Sequence, residues 1–135
     1  MDAIKIIIVD NNVVFSRDFK SILETEFSAN VVATIDNCED LLKLKSLKVD
    51  IIFINLAMAR KNRFHAIKLF LWTYPKINVI GINTFFTEPK YLLRLIEVGF
   101  KGCIDGNNIY NELNDAINKV VNGKMFFSKE ILERL

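Results

Sequence analysis

The sequence predicts an α/β fold: a doubly wound, five-stranded parallel sheet with helices on both faces. Two observations carry that expectation. Short runs read as strands at five places, and those at "IKIIIVD" (4–10) and "VDIIFIN" (49–55) are apolar at consecutive positions and rich in Ile. Such runs do not alternate apolar with polar residues, so they read as strands covered on both faces, the habit of parallel sheets. Between the runs lie stretches with apolar residues at helical spacing. Parallel strands need such crossovers, which are right-handed.

The elements follow in order. The first strand, 4–10, ends at Asp10. In "NNVVFSRDFKSILETEF" (11–27), Val14, Phe15, Phe19, Ile22, Leu23 and Phe27 recur at helical spacing, and Asn11 or Asn12 can cap the start. "NVVATI" (30–35) is the second strand, and "CEDLLKLKSL" (38–47) reads as a short helix capped by Asp36 or Asn37. The third strand, 49–55, closes on Asn55. "KNRFHAIKLFLWTY" (61–74) is a helix that stops before Pro75, because proline pushes the preceding residue out of helical conformation. "INVIGIN" (77–83) is the fourth strand. "EPKYLLRLIEV" (88–98) is a helix with Pro89 in its first turn and Gly99 at its close. "KGCID" (101–105) is the fifth strand. "NIYNELNDAINKVVNG" (108–123) carries the stripe Leu113, Ala116, Ile117 and Val120, with Gly123 as its stop. The tail "SKEILERL" (128–135) opens on a serine suited to an N-cap and adds a helical turn or two.

Composition sets the bounds. The chain has 135 residues, the length of one domain, and its 51% hydrophobic content supplies a core. A net charge of +2 neither requires nor excludes nucleic acid. Cys38 and Cys103 lack metal-type spacing and read as reduced thiols, a disulfide being the minor alternative. The N-terminus is interrupted by Asp10 too early for a signal peptide, and no apolar stretch approaches the ~18 residues of a membrane span. The expectation is a soluble, cytoplasmic protein that does not enter a membrane. No Gly-rich phosphate loop occurs, and nothing within 1–135 reads as a recognition helix, so no direct nucleic-acid contact is expected.

A site in such a sheet lies outside the carboxyl ends of its strands, at the switch point of strand order. The residues to read are therefore Asp10-Asn11-Asn12, Asn55, Asn83-Thr84 and Asp105-Gly106.

Here the chain resembles a known family over nearly its whole length. "IIIVDNNVVFSRDFKSILE" is similar to the opening V-D-D-x-x-x-x-R of response-regulator receiver domains. "VDIIFINLAMA" is similar to their P-D-(apolar)-D-(apolar)-x-M-P. "EPKYLLRLIEVGFKGCIDGNNIYNELNDAINKVVNGKMFFS" is similar to the closing part of the NarL/FixJ-type receivers. The resemblance implies a flavodoxin-like (βα)5 domain over 1–124. Residues 125–135 would be a C-terminal extension, where the family's linker to a helix-turn-helix domain begins.

Family membership implies a chemistry. A histidine kinase donates a phosphoryl group to an aspartate after the third strand, an acid pair after the first strand holds Mg²⁺, and a hydroxyl residue and a lysine contact the phosphoryl group. Carried over, the acceptor position falls on Asn55 and the acid pair on Asp10 and Asn11. The lysine position falls on Gly106, and the switch aromatic on Cys103. The hydroxyl position falls on Thr84 or on Asn83, depending on the direction of counting, with Thr84 favoured. Met58 keeps the family's Met, while Ala59 and Arg63 replace its Pro and Gly.

The resemblance therefore implies an atypical receiver, a phosphorylation-independent interaction module of two-component signalling and transcriptional regulation. It implies no enzyme, no catalytic residue and no metal or cofactor, Mg²⁺ included. Its partner would be another protein or a second copy, met through the 88–98/108–122 helix face. The alternatives are a receiver that still accepts phosphate from a histidine kinase, or the receiver fragment of a helix-turn-helix transcription factor.

Other residues have plainer readings. Arg60, Lys61 and Arg63 form a basic loop beside the site, able to bind an anion but more simply a solvated turn. His65, the single histidine, reads as an ordinary helix residue. Phe85 and Phe86 read as packing, with a partner patch as alternative, and Trp72 reads as core.

Overall fold

A computed structural model describes residues 3–44, 48–58, 63–83 and 89–133. Among them, strands β1 (Lys5–Val9), β2 (Asn30–Ile35), β3 (Ile51–Asn55), β4 (Asn78–Asn83), β5 (Gly102–Asp105) and β6 (Phe126–Phe127) form one sheet. The strand order is β2-β1-β3-β4-β5-β6, and every pair is parallel. The chain crosses from β1 to the outer strand β2, then returns over β1 to β3. The switch point of the sheet therefore lies between β1 and β3.

Burial of both faces explains the strand sequences. Ile7, Val9, Ile52, Ile54 and Val79 point to one face, where they pack with Phe64, Ile67 and Phe70 of α2 (Arg63–Thr73) and Leu92 and Leu95 of α3 (Pro89–Val98). Ile6, Ile8, Ile51, Phe53, Ile80 and Ile82 point to the other, against Phe19 and Leu23 of α1 (Val13–Glu26) and Leu113, Ala116, Ile117 and Val120 of α4 (Ile109–Val121). A polar side chain inside these strands would lose its water on either face. Polar residues are thus confined to the strand ends, where the site lies.

Local signals set the helix limits. The Asn12 side chain accepts the Phe15 N–H at 3.0 Å and caps α1, so Asn12 rather than Asn11 takes that role. Gly99 adopts φ +113° where α3 ends, a left-handed conformation that glycine enters without Cβ strain.

Two elements depart from expectation. The stretch read as a helix over 38–47 is a 3₁₀ helix over Glu39–Lys43, with only Leu41 buried. One buried side chain is too little to hold a full amphipathic helix on the sheet. The sheet has six strands among the described residues, not five. Phe126 and Phe127 pair in parallel with Gly102 and Cys103. The short helix α5 (Lys129–Leu132) follows and buries Ile131 in the core on the α2/α3 side. Ser128 stands at its N-cap position, but its side chain makes no capping bond to the helix backbone.

The sixth strand depends on Gly102. A Cβ at that position would lie 2.5 Å from the Phe126 carbonyl oxygen. Gly102→Ala is expected to push β6 off the sheet and destabilise the domain by about 1–3 kcal/mol. Urea denaturation measures the loss, and limited proteolysis should cut first in the segment around β6. A variant as stable and as resistant as the parent would show that this contact carries no such role.

Candidate functional site

The site is built on the ends of β1 and β3, the two strands that flank the switch point. Asp10 follows β1 and is only 6% exposed. Its backbone N–H donates to the Ile35 carbonyl at 2.9 Å, which ties the residue to the end of β2. Its Oδ1 accepts the Asn12 N–H at 2.9 Å and the Asn55 side-chain Nδ2–H at 3.3 Å. Asn55 ends β3, and its Oδ1 accepts the Ala57 N–H at 3.0 Å. The amide is thus used at both ends, with its oxygen on a backbone donor and its nitrogen on the carboxylate.

The structure brings Asp10 and Asn55 together and places the other expected residues around them unequally. Asn11 is solvent-exposed in the turn after Asp10. Asn83 ends β4, is 5% exposed, and lies in register with Asp105 of β5. Its carbonyl accepts the Gly106 N–H at 2.8 Å, so the ends of β4 and β5 are pinned together. Thr84, Phe85, Phe86, Arg60 and Lys61 lie outside the described residues, and Arg63 opens α2.

Cys103 is fully buried, in the core beneath α2 and α3. Burial first, then the nearby negative charges of Glu112 and Asp105, pushes its thiol far above the ordinary range. It is an inert core residue and no nucleophile.

Sequence reasoning missed a polar network at the end of β5. Glu112 Oε1 accepts the Asp105 N–H at 3.2 Å, and Ser128 Oγ lies 2.7 Å from the carboxylates of both Glu112 and Glu130. The Ser128 N–H donates to the Cys103 carbonyl at 2.9 Å. The network links α4, β5 and α5. Trp72, expected in the core, is 73% exposed on α2. That helix is apolar on several sides, so its periodicity does not say which side is buried.

The donor set can be weighed for a divalent cation. Among the described residues no group of three or more His, Cys, Asp or Glu side chains is placed to hold a metal ion. Mg²⁺ wants hard oxygen ligands and holds its water tightly. Asp10 is the single carboxylate of the Asp10–Asn55 pair, and one of its oxygens already accepts two N–H donors. That pair does not fit the ion.

No protein-family profile matches the chain. Curated relatives do. The chain is 27% identical to the response regulator GacA of Pseudomonas aeruginosa over 133 residues, 98% of this chain and 62% of that protein. It is 28% identical to the transcriptional regulatory protein DesR of Bacillus subtilis over 133 residues, 98% of this chain and 65% of that protein. It thus spans less than two thirds of the length of these relatives. Among solved structures, the isolated receiver domain of RcsB from Salmonella enterica superposes with a TM-score of 0.83 at 20% identity, over 96% of both chains. A LuxR-family response regulator from Aurantimonas superposes with a TM-score of 0.86 at 17% identity, over 98% of this chain and 95% of that one. In sequence the chain is similar to response regulators, and in fold to their receiver domains. No described helix is long and apolar enough to cross a membrane.

The Asp10–Asn55 contact makes a sharp prediction. An aspartate at 55 would set two carboxylates about 3.3 Å apart. At an effective dielectric of about 20 their repulsion is ~5 kcal/mol before the structure relaxes. Asn55→Asp is expected to lower the urea midpoint, and Mg²⁺ at ~10 mM should recover part of the loss by binding the folded state. Equal stability of variant and parent, with or without Mg²⁺, would refute the electrostatic account.

Proposed function

We propose that this domain is an atypical receiver, a protein-interaction module of a response regulator whose state does not depend on phosphorylation. The observation that carries the reading is the Asn55 amide, bonded to Asp10 at the place where the resemblance puts the phosphoryl acceptor. A neutral carboxamide is a poor nucleophile and does not form the acyl phosphate that a carboxylate forms. Asn11 stands for the second acid and Gly106 for the lysine, so the partners of the reaction are replaced along with its nucleophile. On this reading the domain has no enzymatic step and needs no Mg²⁺. Its place would be the cytoplasm, within a transcription regulator, because relatives of greater length are response regulators and transcriptional regulatory proteins.

The test uses acetyl phosphate with Mg²⁺. The intact mass of the parent is expected to stay unchanged, and titration with Mg²⁺ alone should give no saturable shift at Asp10 or Asn55. The triple variant Asn11→Asp, Asn55→Asp, Gly106→Lys should gain Mg²⁺ binding and one phosphoryl group. Phosphorylation of the parent at any aspartate of the site would favour the competing reading, a receiver still served by a histidine kinase.

For partners, we infer that the domain works through the face made by α3 and α4, whether toward a second copy or another protein. Leu93 and Ile96 on α3 and Tyr110 on α4 are exposed apolar side chains there. Ile96→Glu should weaken self-association or partner capture in sedimentation, and acetyl phosphate should leave the parent's behaviour unchanged. Association that strengthens with phosphodonor would overturn both this inference and the phosphorylation-independent reading.

A further inference from the structure

Charge is distributed unevenly along the chain. Residues 51–87 hold Arg60, Lys61, Arg63, Lys68 and Lys76 and no acid, in a chain with 18 Lys and Arg and 16 Asp and Glu. All of α2 falls within this stretch. Its outward positions are His65, Lys68, Trp72 and Thr73, with Leu69 half-buried beside them. A surface helix normally turns a polar face to water, and α2 does so at His65, Lys68 and Thr73 but sets the ring of Trp72 outside beside them.

Beside these residues a cleft of about 600 Å³ runs between α2 and α3, lined by Phe64, His65, Lys68, Arg94, Glu97 and Val98. The Arg94 guanidinium lies 5.8 Å from the centre of the Phe64 ring, over the buried floor. The Lys68 ammonium lies 5.9 Å from the centre of the Trp72 ring, at the rim. Both cations are thus held over aromatic faces. Neither takes part in an ion pair found among the described residues.

We propose that the α2–α3 cleft docks an acidic segment of a partner protein, its carboxylates on Lys68 and Arg94 and an apolar side chain against Trp72. Charge complementarity selects an anionic occupant. The mixed chemistry selects a peptide over nucleic acid. The Phe64–Val98 floor suits an apolar anchor, which a peptide side chain supplies and a phosphate backbone does not. Trp72 at the rim, with Lys68 over its ring, and Arg94 within the cleft are residue types common in binding hot spots. The surface is separate from the Asp10–Asn55 site and does not depend on the reading of that site.

Trp72 is the single tryptophan of the chain and reports directly on its own environment. The probe is a nine-residue peptide of glutamates and aspartates around one leucine and one phenylalanine. Controls are a lysine-substituted counterpart and a 20-base-pair DNA duplex. The acidic peptide is expected to shift the emission to the blue and to protect Trp72 from acrylamide. Raising NaCl from ~50 to ~500 mM should weaken the effect, because the contact is electrostatic. The double variant Lys68→Glu, Arg94→Glu should bind about tenfold more weakly or worse. The salt series on the parent keeps the test valid should that variant fold poorly. No shift with the acidic peptide, an equal shift with the basic one, or salt-independent binding would overturn the proposal. So would duplex DNA acting at lower concentration than the peptide, or a shift with protein concentration alone, which would assign the cleft to a second copy.

Discussion

The contact on which the site turns is the hydrogen bond from the Asn55 amide to the Asp10 carboxylate, across the switch point between β1 and β3. Asp10 is almost fully buried and carries the one charge of the pair. A buried carboxylate must be neutralised by a cation or satisfied by donors. Here donors do it. The Asn12 N–H and the Asn55 side chain both reach one oxygen, and the Ala57 N–H holds the amide in the orientation that presents its nitrogen. The charge is accommodated by hydrogen bonds that the fold itself supplies.

That contact exists because the sheet leaves it no other place. Strands sealed on both faces accept Ile, Val and Phe along their length and tolerate polar groups only where they end. The order β2-β1-β3 then sets the ends of β1 and β3 side by side. The pinning of β4 to β5, from the Gly106 N–H to the Asn83 carbonyl, also lies at strand ends but is made by backbone groups. The strand pairing therefore decides which polar residues meet, while the helices supply the apolar cover.

Much of this was legible in the residues. Consecutive Ile and Val runs announce buried parallel strands, and the rule for open α/β sheets points to Asp10 and Asn55. What was not legible has particular causes. Phe126 and Phe127 form a strand too short to show a period, and their pairing rests on the missing Cβ of Gly102. The 3₁₀ helix at Glu39–Lys43 carries helix-forming residues but buries only one side chain, Leu41. Trp72 escapes the sequence because an apolar helix does not reveal which side meets the core. The backbone donors that fix Asp10 and Asn55, and the Glu112–Ser128 network, have no sequence signature at all.

The proposed loss of phosphoryl chemistry is also coherent as electrostatics. With a carboxylate at 55, a cation would be required to hold two acids together, and a second acid after Asp10 would help to bind it. With an amide at 55 that requirement disappears. A further carboxylate at 11 would then only add negative charge beside Asp10, and a lysine at 106 would have no phosphoryl oxygen to meet. Asn11 and Gly106 are the neutral residues expected once Asn55 is in place. A single changed residue would leave the remaining charges without their partner. On the proposed reading the three would be balanced without metal or phosphate, and they count as one change and not three.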